Sequence, residues 1–364
     1  YDDGTQKTVS TGSDWSVFSG MIRFSEIYDG ETADATAPQN ELGYAKEFDG
    51  PTNTLIEQQG EMIREHEHVS PVKIFQTPAG ETVVDFGQEV TGYVSLSLEA
   101  QSGDVVELSH GEMLDRDGNF YNGNYRSAKA KLRYICRQGK QDYRPWFTFF
   151  GFRYVRIDKF PGQPKPENFT AIAVYSDLRR TGSVRCSNFM LNRLFENVSW
   201  GQKGNYLDIP TDCPQRDERL GWTGDAQAFM KTACYQFDVE RFFTKWLAHM
   251  AAEQLPNGAR PHVIPATSID TGNSSGSAAW DDAVTICPWQ IYLSYGNREI
   301  LRNQFHCMKR YIGFITDTTK DRFLWTGGTH YGDWLGLDSA PGSYKGASRE
   351  DFIASALYAY STSL

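Results

Sequence analysis

The spacing of apolar residues changes period near position 180, and that change limits the chain to a β-rich part followed by a helical part. Val94, Leu96 and Leu98 alternate with Ser95 and Ser97, a period of two that sets one face in a core and the other in water. Ser102-Gly103-Asp104 supplies a turn before a strand at 105–108. Phe147-Thr148-Phe149 and Tyr154-Val155-Arg156-Ile157 continue the pattern, and Pro161-Gly162 closes it. Strands of this kind bury their apolar faces by packing sheet on sheet, so an antiparallel β-sandwich is expected over 69–178. Met21-Ile22-Arg23-Phe24 reads as a short strand in an otherwise polar 1–68, taken as the end of one β module plus a linker.

Asp115-Arg116-Asp117-Gly118-Asn119 invites a calcium reading, yet the positions where an EF-hand loop needs Gly and Glu hold Phe120 and Arg126. A hairpin turn built on Asp117-Gly118 accounts for the same residues.

Beyond 180 the stripes are helical. Leu191, Leu194, Phe195 and Val198 follow a Ser187 cap, and Phe242, Phe243, Trp246, Leu247 and Met250 follow Asp238. Further stripes over 283–295, 300–315 and 353–360, with a short helix from Asp225, make about six helices in 179–364. Long glycine-rich connections separate them, and such connections on a rigid scaffold are where sites are built.

Composition removes several functions. A net charge of −10 repels a phosphate backbone and an anionic lipid surface, so neither nucleic acid nor membrane is an expected partner. No stretch approaches the roughly 20 apolar residues that span a bilayer. Six cysteines form no Cys-x-x-Cys pair, which sets aside zinc and thioredoxin chemistry, and their apolar neighbours read as buried free thiols. The sequence starts at Tyr1 without Met or a signal peptide, which reads as a start processed or cut; the compartment is little constrained, periplasmic or secreted being favoured over cytoplasmic, and the sequons at Asn168, Asn197 and Asn273 decide nothing.

The chemistry sits in 205–227, where Asp212, Asp217, Glu218 and Asp225 lie among Arg216, Arg219 and Trp222. Pro210, Pro214, Gly221 and Gly224 interrupt the run, so it is no exposed helix face. Crowded carboxylates raise one another's pKa while guanidinium groups lower it, a mixture that keeps one acid protonated beside ionised neighbours. Glycoside hydrolysis needs that arrangement. A structural ion-pair network explains these residues equally well.

The segment Asp-Cys-Pro-Gln-Arg-Asp-Glu-Arg-Leu-Gly-Trp-Thr-Gly-Asp-Ala-Gln over 212–227 closely resembles the signature of bacterial α-L-rhamnosidases of glycoside hydrolase family 78. Other segments agree in order: 27–35 resembles the end of that family's N-terminal β module, and 149–155 the close of its central β-sandwich. Ala279-Trp280-Asp281-Asp282-Ala283 and Tyr331-Gly332-Asp333-Trp334-Leu335 resemble parts of its (α/α)6 catalytic barrel, of which this chain carries the N-terminal part.

The resemblance implies that Glu218 is the general acid. It also implies that Asp212, Arg216 and Asp225 hold rhamnose hydroxyls, and that Trp222, Trp280 and Trp334 form aromatic walls. Trp280 follows the loop-like Ser274-Ser275-Gly276-Ser277, and its alternative role is an anchor in the core at a helix start. Asp282 and Asp333 are further substrate-binding candidates, either of which could instead cap a helix. Asp281 departs from the glycine more usual there.

The family's general base, a downstream Glu, has no counterpart here, because Glu253, Glu299 and Glu350 read as surface residues. The implied reaction is inverting hydrolysis of terminal α-L-rhamnose from an oligosaccharide or glycoside, without metal or organic cofactor, and a homodimer is left open. The rival readings are a carbohydrate-binding homologue that has lost catalysis and a glycosidase for another sugar.

Overall fold

A computed structural model describes residues 1–50, 54–267, 275–321 and 323–364; Asn273 and Ser274 lie outside the described residues. The chain forms two compact units, one of 1–58, 68–88 and 93–172, the other of 59–67, 89–92 and 173–364.

The first unit is β-rich. The alternation around Val94 belongs to the long strand Thr82–Ala100, where Val94, Leu96 and Leu98 are buried and Ser97 is exposed. Val105–Gly111 lies between Lys131–Ile135 and Phe150–Lys159, antiparallel to both. One pair departs from the antiparallel expectation: Gly30–Asp34 runs parallel to Lys131–Ile135. Residues from 1–68 and from 69–178 thus share one sheet rather than forming separate layers.

Phe147-Thr148-Phe149 is not strand, which begins only at Phe150. The amides of Trp146 and Phe147 turn to the buried Glu31 carboxylate, at 3.1 and 3.2 Å, instead of joining a ladder. The turn at Asp117-Gly118 joins the antiparallel pair Met113–Leu114 and Phe120–Tyr121, with Asp115 Oδ1 accepting from the amides of Asp117 and Asn119.

The second unit is helical: α1 Phe189–Asn205, α2 Thr223–Gln236, α3 Glu240–Ala252, α4 Ala283–Tyr295, α5 Arg298–Thr318 and α6 Glu350–Ser363. Helix α4 packs on α2, α3 and α5, and α5 packs on α3 and α6. The α3 stripe from Phe242 to Met250 is completely buried, and Tyr206 stacks on Phe242 at 4.7 Å.

Two helix starts differ from expectation. Asn188, not Ser187, caps α1 by accepting from the amides of Met190 and Leu191, because its side chain reaches the first turn. Val239 occupies the cap position of α3, and the Asp238 carboxylate pairs with Arg179 instead. The α1 stripe is not core either, since Leu191, Leu194 and Phe195 are exposed and α1 buries Ser199, Gln202 and Gly204. The thiols are free, but Cys186 is exposed and Cys234 half-buried. Among the described residues no helix is long and apolar enough to cross a membrane.

Three connections, 206–222, 253–282 and 319–349, carry every site candidate except Asp225, which lies in the first turn of α2. Hydrogen bonds join them: the amide of Ile264 donates to Gly221 O at 2.9 Å, and that of Tyr331 to Ser277 Oγ at 3.3 Å.

Candidate active site

The 206–222 connection is pinned by its own backbone before any charge is placed. Tyr206–Leu207 and Ile209–Pro210 form a minimal hairpin through Asp208, whose φ of 67° is held by an ion pair to Lys245. Further on, Asp212 N donates to Leu220 O at 3.0 Å, and Leu220 N returns a bond to Asp212 Oδ1 at 2.9 Å. Gly221 must be glycine: a Cβ there would lie 2.0 Å from Ile264 O, which is closer than any real contact.

The chain between these pins presents the charged groups. Arg216 divides its guanidinium, giving Nε to Glu218 Oε2 at 2.8 Å and an Nη to Asp212 Oδ2 at 3.1 Å. The other oxygen of Glu218, Oε1, accepts from Trp222 Nε1 at 2.9 Å. Burial and the neighbouring Glu218 charge push the Asp212 carboxyl upward, against the Leu220 amide and Arg216. Asp225 is pushed up to about 6, first by surrounding protein, then by the Asp212 charge, with Glu218 adding and Arg216 opposing. Its side chain still reaches water, which works against the shift.

The sequence led us to expect an uncharged Glu218. Its donors Arg216 Nε and Trp222 Nε1 are both N–H groups, the contacts a carboxylate anion accepts. The upward push falls on Asp212 and Asp225.

Trp280 is buried at the turn before α4 and lies on the first turn of α2, where a Cβ on Gly224 would meet its ring at 2.7 Å. Its indole N–H is buried without an acceptor. Trp334 stands edge-on to Trp280 at 6.3 Å and is 42% exposed. Asp282 faces away from this wall. It is completely buried, accepts from the amide of Ala279 at 2.8 Å and from the Ser361 hydroxyl, and braces the turn instead of opening to the site. Asp333 is exposed, and its carbonyl accepts from the amides of Gly336 and Gly346. The described contacts do not bring it to Glu218. Neither aspartate side chain caps a helix.

Asp281 is also completely buried, taking the amides of Arg260 and Gly276 at 2.8 and 3.0 Å. Sequence reasoning missed Tyr331 and His262. Tyr331 touches Trp222, Trp280 and Trp334, and its hydroxyl lies 3.0 Å from His262 Nδ1. The available signal was position, because Tyr331 opens a segment already singled out for Asp333 and Trp334.

Among the described residues, Asp212, Cys213 and Glu218 have ligand atoms within 4.8 Å of one another. Hydrogen bonds already engage all four carboxylate oxygens, and burial pushes the Cys213 thiol up to about 12. These oxygens are therefore arranged for a guanidinium rather than a metal ion. A cavity of about 410 Å³ between α1 and α2 carries Asp212 and Asp225 in its wall, next to the Glu218 cluster. Glu253, Glu299 and Glu350 are engaged with the Ala266 amide, Arg302 and Lys345 respectively.

The connections between the helices gather carboxylates, a shared guanidinium and indole faces, the groups that glycoside hydrolysis calls on. Residues 179–364 match the family model described as the bacterial alpha-L-rhamnosidase 6 hairpin glycosidase domain, 75–175 its concanavalin-like domain and 1–67 the alpha-L-rhamnosidase N-terminal domain, so the chain belongs to the bacterial α-L-rhamnosidase family.

An α-L-rhamnosidase of Alteromonas sp. is 36% identical over 100% of this chain and 41% of its own length. The crystal structure of a native rhamnosidase from Aspergillus terreus superposes with a TM-score of 0.91 at 32% identity, over 99% of this chain and 43% of its own. That of the Streptomyces avermitilis α-L-rhamnosidase complexed with L-rhamnose gives 0.89 at 35%, over 100% and 35%. The chain thus spans well under half the length of each of these relatives.

Proposed function

We propose that the protein carrying this chain hydrolyses terminal non-reducing α-L-rhamnose from glycosides or oligosaccharides, with inversion, using Glu218 as general acid. The observation that carries this reading is the single guanidinium shared between Glu218 and Asp212, with Asp225 close by. Three carboxyls face one cation. When a sugar displaces water from the site, keeping all three ionised becomes more costly, and a proton is taken up by the cluster.

Arg216 and Asp212 then have sugar hydroxyls as alternative partners, which frees Glu218 Oε2 to present a proton to the departing oxygen. Trp222 keeps Oε1 in place. A water on the opposite face attacks the anomeric carbon, which requires a base about 6.5–9.5 Å from Glu218. Glu253, Glu299 and Glu350 are engaged elsewhere, and we take the base, as the family resemblance implies, to be a Glu downstream of this chain. The indole walls take the apolar face of the ring and its methyl group. No step calls for a metal or organic cofactor.

The test is Glu218→Gln in the protein carrying this chain, assayed on an aryl α-L-rhamnoside. Turnover should fall by roughly 10²-fold or more while rhamnose binding persists. Undiminished turnover removes Glu218 from its role. Rhamnose binding without hydrolysis by the unmodified protein would favour the non-catalytic reading, and preference for an aryl α-mannoside a different sugar.

A further inference from the structure

We propose that Tyr331 is a positioning residue of this site, holding Trp222, Trp280 and Trp334 in register as one sugar-facing wall, and that His262 and Asp281 fix it from behind. The inference rests on the sugar-binding reading above and adds the residues that give the wall its shape.

Among the described residues Tyr331 is the one ring in contact with all three tryptophans. It lies 4.3 Å from Trp280 at a tilt of 43°, 5.5 Å from Trp334 at 74° and 6.4 Å from Trp222 at 84°. Edge-on and tilted contacts of this kind are the favoured ones, because the positive rim of one ring meets the negative face of the next. Trp222 is the member that donates to Glu218, so the orientation of its indole plane bears on the acid as well as on the sugar.

The back of the wall is built with equal definition. His262 is buried, its Nδ1 is 3.0 Å from the Tyr331 hydroxyl, and its Nε2 receives the amide of Ser277 at 3.3 Å. An Nε2 that accepts leaves the proton of a neutral imidazole on Nδ1, where it donates to the Tyr331 oxygen. Burial, then the neighbouring His330, pushes the His262 pKa down to about 4, which keeps the ring neutral. Burial holds the Asp281 carboxyl well above the usual carboxylate range, so its Oδ1, 3.4 Å from His262 Nε2, faces that lone pair as part of a neutral acid, while its other oxygen ties together the amides of Arg260 and Gly276. The strap that brings Tyr331 here is held at two successive residues, His330 Nδ1 accepting from Ala278 N and Tyr331 N donating to Ser277 Oγ. A cluster serving only as core would be closed over, whereas Tyr331 is half-buried and Trp334 is 42% exposed.

The experiment uses the protein carrying this chain, with KM and kcat measured on an aryl α-L-rhamnoside. Rhamnose Kd is read from tryptophan fluorescence in a Glu218→Gln background. Tyr331→Ala should raise KM and Kd about tenfold and lower kcat much less. Tyr331→Phe and His262→Asn should each raise both constants about threefold, and the double variant should be no worse than the worse single, since both remove one bond. A purely structural role would instead lower Tm and kcat together and leave KM and Kd unchanged, which overturns the proposal. If Tyr331→Ala does not fold, unchanged constants in folded Tyr331→Phe and His262→Asn overturn it equally. A parent protein that binds no rhamnose sinks the function above as well, whereas unchanged variants sink this inference alone.

Discussion

Trp222 donates its indole N–H to Glu218 Oε1 at 2.9 Å, so the side chain proposed as a wall for the sugar also fixes the carboxyl proposed to protonate the departing oxygen. Trp222→Phe keeps an aromatic face and removes the donor. A hydrogen bond to a charged partner contributes roughly 1.5–3 kcal/mol, so kcat/KM should fall about ten- to a hundredfold. Steady-state kinetics on an aryl α-L-rhamnoside checks this, and an unchanged value would show the bond to be incidental.

Gly224 sets a packing limit. Replacing glycine by alanine inside a helix ordinarily gains up to about 1 kcal/mol. Here the added carbon would meet the Trp280 ring at 2.7 Å, and a rigid indole cannot fold away as a lysine tip could. Overpacking of this kind costs about 1–3 kcal/mol, which outweighs the gain, so Gly224→Ala should lower Tm and weaken rhamnose binding. A rise in Tm with intact binding would contradict the close approach.

Asp225 gives a signed pH prediction. Its carboxyl stands at about 6 against an ordinary 3.8, so between those values the folded protein holds a proton there more firmly than the unfolded chain does. The stability this group contributes is complete below about pH 4 and is lost as pH rises through about 6. His262 acts oppositely, since its depressed pKa of about 4 contributes stability that is lost as pH falls through that value. Comparing Asp225→Asn with the parent protein cancels the histidine. The Asn variant should gain in Tm relative to the parent between about pH 4 and pH 7, and equal differences at both ends would refute the shift.

Inversion has a direct readout. Proton NMR during the first minutes of hydrolysis should show β-L-rhamnose appearing before mutarotation. Initial α-L-rhamnose would require a covalent intermediate and a second carboxyl only about 5–5.5 Å from Glu218.

How much of this was legible in the sequence varied with the physics involved. The buried stripe of α3 and the alternation in Thr82–Ala100 were readable because core burial imposes a period. The α1 stripe has the same period, yet its apolar face is exposed, because a period records which side is apolar and not what covers it. The Asp212 to Asp225 run was readable as one charged cluster since its partners are local in sequence. Asp282 was misleading: beside Trp280 in sequence, it turns to Ser361, and adjacency along a chain that is starting a helix says little about direction. Tyr331 and His262 were invisible for a related reason, as their bond spans 69 residues and neither belongs to a repeat.

Gly221, pressed beneath the Ile264 carbonyl, anchors the catalytic segment by main-chain atoms alone. The path of that segment therefore has one fixed point that no side chain supplies, beside the bonds made by Asp208 and Asp212. Any side chain at Gly221 would move that point, and with it every group the segment carries.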